Sequence, residues 1–121
     1  MPKVLVVDDE QDILDLVDEL FSMAEFEVVT RTSASEALEL IANEKFDAIV
    51  SDIVMPEISG LQFFETLKEK GQLVHPFVLI TGYANENPEA EALVGNGVDK
   101  IFVKPLQFYE IAEYLKRNIS S

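Results

Sequence analysis

Short apolar runs, rich in β-branched residues, recur along the chain at 4–7, 28–30, 48–51, 77–80 and 101–103, and stretches with helical spacing alternate with them. The spacing predicts a strand–helix unit repeated five times. In the first helical stretch Ile13, Leu14, Val17, Leu20, Phe21 and Ala24 share one stripe, while Asp12, Asp15, Asp18 and Glu19 fall largely on the other side. Ser33 can cap the second helix, with Glu36 three residues on completing a capping box ahead of Ala37, Leu38, Leu40 and Ile41. The third helix follows Ser59-Gly60 and carries Leu61, Phe64 and Leu67; the fifth carries Ile111, Tyr114 and Leu115. The fourth connection is less regular, with Gly82, Asn85, Asn87 and Pro88 before a short helix that ends near Gly95-Asn96-Gly97.

Strands that are apolar throughout are buried on both faces. That predicts an α/β fold, a parallel five-stranded sheet flanked by helices and joined by right-handed crossovers. At 121 residues the chain is read as one domain, 1–121, with no repeat or linker. It carries no cysteine, which fits a reducing cytoplasm, and no apolar run approaches the roughly 20 residues that cross a bilayer. The N-terminal apolar run is also too short for a secretory signal. A formal charge of −14 repels nucleic acid phosphates, so direct DNA or RNA binding is not expected.

Charge matters most where the strands end, because sites in open α/β sheets lie outside the carboxyl ends of the strands. The first strand runs into Asp8-Asp9, the third into Asp52, the fourth into Thr81 and the fifth into Lys104-Pro105; only the second, an expected edge strand, adds no such group. Taken singly, each has an ordinary structural reading. Asp8-Asp9 can start a helix, Asp52 can form a turn ahead of Met55-Pro56, Thr81 is a common strand residue, and Lys104 can be a solvated lysine. Independent caps and turns give no reason for three acids, a hydroxyl and a lysine to meet at one sheet edge. Converging carboxylates repel unless a cation neutralises them, and a hard ion such as Mg²⁺ suits an oxygen-only donor set. With such an ion, Asp52 can stay ionised and attack phosphorus, and Lys104 and Thr81 can offset charge on the transferring group.

In order and spacing, the segments Val4-Leu5-Val6-Val7-Asp8-Asp9-Glu10, Asp52-Ile53-Val54-Met55-Pro56 with Gly60, Leu79-Ile80-Thr81-Gly82 and Lys104-Pro105 resemble the receiver domain of bacterial two-component response regulators. The resemblance covers essentially the whole chain. It implies a doubly wound, flavodoxin-like (βα)5 sandwich with strand order 2-1-3-4-5 and a regulatory role in a phosphorelay. The domain would take part in its own phosphorylation and dephosphorylation without being an enzyme in its own right. It further implies that Asp52 is the phosphoacceptor. Mg²⁺, or Mn²⁺, would be held by Asp9 and Asp52 directly, by Asp8 through a water and by the Val54 carbonyl, with Thr81 and Lys104 on the phosphoryl oxygens and a cis Lys104–Pro105 bond. The implied partners are a sensor histidine kinase or histidine phosphotransfer protein, and a downstream protein or effector domain on the face of the fourth helix, fifth strand and fifth helix; a phosphorylation-dependent homodimer is also allowed.

Two positions depart from the family's commonest pattern. Ile101 stands where Tyr or Phe usually acts as a rotating switch residue, and Leu106 where Phe is commoner. Ile101 has no ring to swing, so its coupling to Thr81 is expected to differ. Val54 and Tyr83 flank the expected path of an attacking water, which predicts a persistent aspartyl phosphate, and Tyr83 is a candidate to take over part of the switch. Phe102 should point to the opposite side of its strand from Ile101, into the core. His75, the single histidine, precedes the fourth strand at the end away from the site and is not expected to be catalytic.

Three other readings compete. An aspartate-nucleophile phosphatase needs Asp-x-Asp after the first strand, where this chain has Asp8-Asp9-Glu10, and leaves Asp52 unexplained. A flavodoxin-like cofactor binder needs a Ser/Thr/Gly-rich loop there, which is acidic here. A degenerate receiver used only for interaction is suggested by Ile101 and opposed by the intact acid cluster.

Overall fold

The computed structural model describes residues 1–82, 88–103 and 108–119. Five strands, β1 (Lys3–Val7), β2 (Glu27–Arg31), β3 (Ala48–Asp52), β4 (Phe77–Thr81) and β5 (Lys100–Val103), alternate with five helices, α1 (Gln11–Met23), α2 (Ala34–Ile41), α3 (Gly60–Glu69), α4 (Pro88–Leu93) and α5 (Phe108–Asn118). The strands are all parallel, in the order β2-β1-β3-β4-β5, as expected. Most strands extend a residue beyond their apolar runs, taking in Lys3, Glu27, Arg31, Asp52, Thr81 and Lys100. A parallel ladder is made by main-chain groups, so pairing continues where the side chain turns polar.

Strand residues alternate between two cores, one on each face of the sheet. Val4, Val6, Ala48, Val50, Val78, Ile80 and Phe102 pack with Leu14, Val17 and Phe21 of α1 and Ile111 and Leu115 of α5. Leu5, Val7, Ile49, Phe77 and Leu79 pack with α2, with Phe63, Phe64 and Leu67 of α3 and with Ala90 of α4. Phe102 is buried and Ile101, one residue earlier, packs against the opposite core, which bears out the expected alternation.

The starts of α2 and α3 are fixed by side chains. Ser59 accepts from the Gln62 N–H while Gln62 Oε1 accepts from the Ser59 N–H, a full capping box at α3. At α2 the box is incomplete. Ser33 accepts from the Glu36 N–H at 3.2 Å, but the Glu36 carboxylate accepts from the hydroxyls of Ser33 and Thr32 instead of the Ser33 N–H. The hydroxyl of Thr32 next door gives Glu36 a second donor besides that of Ser33.

Candidate functional site

The site is built at the carboxyl ends of β1 and β3. Asp8 directly follows β1, and its N–H donates to the Arg31 carbonyl at 3.2 Å, which ties it to the edge strand. Asp8 Oδ1 accepts from the Glu10 N–H at 2.9 Å, a turn that leads into α1. Glu10, not Asp8 or Asp9, is the residue that caps α1, and its side chain makes no cap hydrogen bond. The ordinary reading of the acidic pair as a helix cap is therefore not what the chain adopts.

Asp52 closes β3, and its Oδ1 accepts from the Val54 N–H at 3.2 Å, which orients the carboxylate. The backbone beyond it is anchored twice, by Ile53 N–H to the Ile80 carbonyl at 2.9 Å and by Gly60 N–H to the Ile53 carbonyl at 2.8 Å. Gly60 approaches so closely that a Cβ there would lie 2.3 Å from the Asp52 carbonyl oxygen. The need for glycine is close approach, not an unusual φ. The Ser51 hydroxyl also donates to the Asp52 carbonyl, at 3.0 Å.

Asp8 and Asp52 are buried, whereas Asp9 and Glu10 are exposed. One carboxylate oxygen from each of Asp8, Asp9, Glu10 and Asp52 lies within 4.8 Å of the others. Four oxygens of like charge in that span suit a hard divalent cation, which takes oxygen ligands alone. The three expected acids are brought together. Glu10 joins them unannounced, because in sequence it reads as the first residue of a helix; the signal for it was the third consecutive acid after an apolar strand.

Thr81 ends β4, is 7% exposed and sits one position beyond Ile80, which is in register with Asp52. Ile101 pairs with Leu79 and Val103 with Thr81, so Ile101 lies on the same sheet face as Thr81 and packs with the core beneath α4. Val54 is 74% exposed at the lip of the site. Tyr83, Lys104, Pro105 and Leu106, and with them the expected cis bond, lie outside the described residues. His75 is at the opposite end of the sheet, where its Nδ1 meets Asp99 Oδ2 at 2.8 Å, and the same oxygen accepts from the Phe77 N–H.

The family model for the response regulator receiver domain matches residues 4–116. The chain belongs to this family. The match takes in every segment that forms the acidic cluster, and similar proteins and solved structures agree with it. Response regulator SaeR of Staphylococcus aureus is 36% identical over 111 residues, which is 92% of this chain and 47% of SaeR. The receiver thus spans about half the length of the curated relatives it matches.

Among solved structures, the receiver domain of Francisella response regulator 1452 superposes with a TM-score of 0.86 at 26% identity, covering 97% of this chain and 95% of that one. Response regulator TrrA of Thermotoga maritima, solved in complex with Mg²⁺-BeF, gives 0.83 at 31% identity, covering 97% and 98%. Chemotaxis response regulator CheY4 of Vibrio cholerae gives 0.84 at 29% identity, with the same coverage. The five-strand order with five helices is that of these receiver folds. Receivers of this family act in phosphorelays, bind Mg²⁺ at an acidic pocket and interact with histidine kinases and downstream effectors. No helix among the described residues is long and apolar enough to cross a membrane.

Proposed function

We propose that this receiver takes a phosphoryl group onto Asp52 from a histidine kinase, a histidine phosphotransfer protein or a small acyl phosphate, and thereby alters a protein-binding face made by α4, β5 and α5. The observation that supports the reading most is the convergence of the Asp8, Asp9 and Asp52 carboxylates within 4.8 Å at the carboxyl edge of the sheet. Asp8, Asp9, Asp52 and the Val54 carbonyl would hold Mg²⁺ or Mn²⁺. When bound, the ion supplies positive charge for the carboxylates and the phosphoryl oxygens.

An Asp52 carboxylate oxygen attacks phosphorus in line as the bond to the donor nitrogen or oxygen breaks, and the leaving group departs with its electron pair. The Val54 N–H holds the Asp52 carboxylate in place for that attack. Its own backbone is pinned through Ile53 and Gly60, so little reorganisation is needed. Thr81, at the end of the next strand, donates its hydroxyl to a phosphoryl oxygen, and Lys104 adds a cation. Drawing Thr81 inward opens space on the face it shares with Ile101, under α4. Lacking a ring, Ile101 answers by repacking against Ala90 and Leu93, with Tyr83 as the second responding residue. Val54 and Tyr83 obstruct water at the acyl phosphate, so the modified state persists for longer than seconds.

Incubation with Mg²⁺ and acetyl phosphate, followed by intact mass, tests the proposal. The wild type should gain one phosphoryl group and Asp52→Asn none. Equal masses for the two proteins would refute it.

A further inference from the structure

We propose that Ser51 is a positioning residue for transfer to Asp52, its buried hydroxyl locking the main chain from which the acceptor carboxylate projects. The inference rests on the reading of Asp52 as the phosphoacceptor and adds a group to which that reading gives no part.

Ser51 is fully buried in β3. In register it stands between Val7 of β1 and Leu79 of β4, both members of the core shared by α2, α3 and α4. A hydroxyl in such apolar surroundings needs a hydrogen-bond partner. It takes the carbonyl of the next residue, Asp52, at 3.0 Å. Strand alternation sends the Asp52 side chain to the opposite face, so the hydroxyl reaches the acceptor through main chain alone.

That carbonyl is confined on a second side, where Gly60 stands so near that a Cβ would lie 2.3 Å from its oxygen. The nitrogen of the same peptide unit belongs to Ile53, and its N–H donates to the Ile80 carbonyl at 2.9 Å. The Asp52–Ile53 peptide plane is thus held at its oxygen by Ser51 and at its nitrogen by β4, with Gly60 packed against it. One residue further on, the Val54 N–H donates to Asp52 Oδ1, so the carboxylate takes its position from this same stretch of main chain. Without the Ser51 hydroxyl the carbonyl loses one of its restraints and the plane is freer to tilt, carrying the Val54 N–H with it. In-line attack is sensitive to such shifts, since a misplacement of about 1 Å can slow a reaction about a hundredfold. The ordinary account of Ser51 is a small residue filling a tight strand position. On that account alanine serves as well as serine, and threonine as badly as valine.

Time courses of phosphorylation by acetyl phosphate in saturating Mg²⁺, read as intact mass over a range of donor concentrations, test this in wild type, Ser51→Ala, Ser51→Thr and Ser51→Val. Threonine and valine share a shape and differ in the hydroxyl, so packing largely cancels between them. The limiting rate should fall about tenfold in Ser51→Ala and Ser51→Val and stay within about twofold of wild type in Ser51→Thr, with the half-saturating donor concentration unchanged. Equal limiting rates in Ser51→Thr and Ser51→Val, or a wild-type rate in Ser51→Ala even with a lowered urea midpoint, would overturn the assignment and leave Ser51 a packing residue. In either case the wild type still gains a phosphoryl group that Asp52→Asn does not. A wild type that gains none would refute the reading of Asp52 and this assignment with it.

Discussion

Asp52 and Gly60 are best considered as a pair, since the glycine has no side chain because the acid's backbone occupies the space. A Gly60→Ala substitution forces a methyl to within 2.3 Å of a carbonyl oxygen that cannot rotate away. The loss should be roughly 1–3 kcal/mol, the range for overpacking, and should appear as a lower urea midpoint with an unchanged slope. Phosphorylation should slow as well, because the strained segment positions Asp52. An unaltered midpoint would show that the backbone yields there at no cost. In sequence, Gly60 is legible as a glycine near a turn but not as a steric necessity; that depends on where β3 ends in space. Asp8, Asp9, Asp52 and Thr81 were legible because each closes an apolar run. Glu10 was not, since its position at a helix start conceals the direction of its carboxylate.

Among the elements, α3 shows how a polar pair can fix a helix whose other face is apolar. Ser59 and Gln62 satisfy each other's N–H groups at its first turn, while Phe63, Phe64 and Leu67 are fully buried. Ser59→Ala should destabilise the protein by about 1 kcal/mol in thermal or chemical unfolding, and restoring the cap with Ser59→Asp should recover most of it. No change in either variant would mean that core burial alone sets where α3 begins. All ten elements could be placed from periodicity, since every strand is an apolar run bounded by polar residues and the helices carry apolar stripes. Their ends were less exact. Ladder pairing extends past the apolar residues, and Glu36 of α2 chooses hydroxyls over the expected N–H.

At the scale of the whole molecule, charge is sorted along the strand direction. Lys3 and Lys100 begin strands, while Lys68, Lys116 and Arg117 end helices, so these cations gather at the end away from the site. Among the described residues only Arg31 brings a cation to the carboxyl edge, and its Nη1 donates to the Thr30 carbonyl. The far end titrates in alkali. The Lys3 ammonium is held above its usual 10.5 chiefly by its hydrogen bond to Glu44, and burial, with Asp99 adding, raises the Tyr114 phenol above 10.0. Both groups keep their protons longer when folded, so their contribution is complete at lower pH and fades as pH rises through these values. The urea midpoint should therefore hold up to about pH 10 and fall as pH rises above it, less steeply in Lys3→Met and Tyr114→Phe. A flat profile, or one identical in all three proteins, would contradict this.

The sheet also acts as a partition. Odd and even strand positions belong to different cores, and α1 and α5 share one while α2, α3 and α4 share the other. Amino-acid replacements on one side can accumulate without compensation on the other, because only main chain joins them. Over evolutionary time the surface of α1 and α5 can thus diverge towards one set of partners while the α4 side is refined separately, all around an unmoving acidic edge.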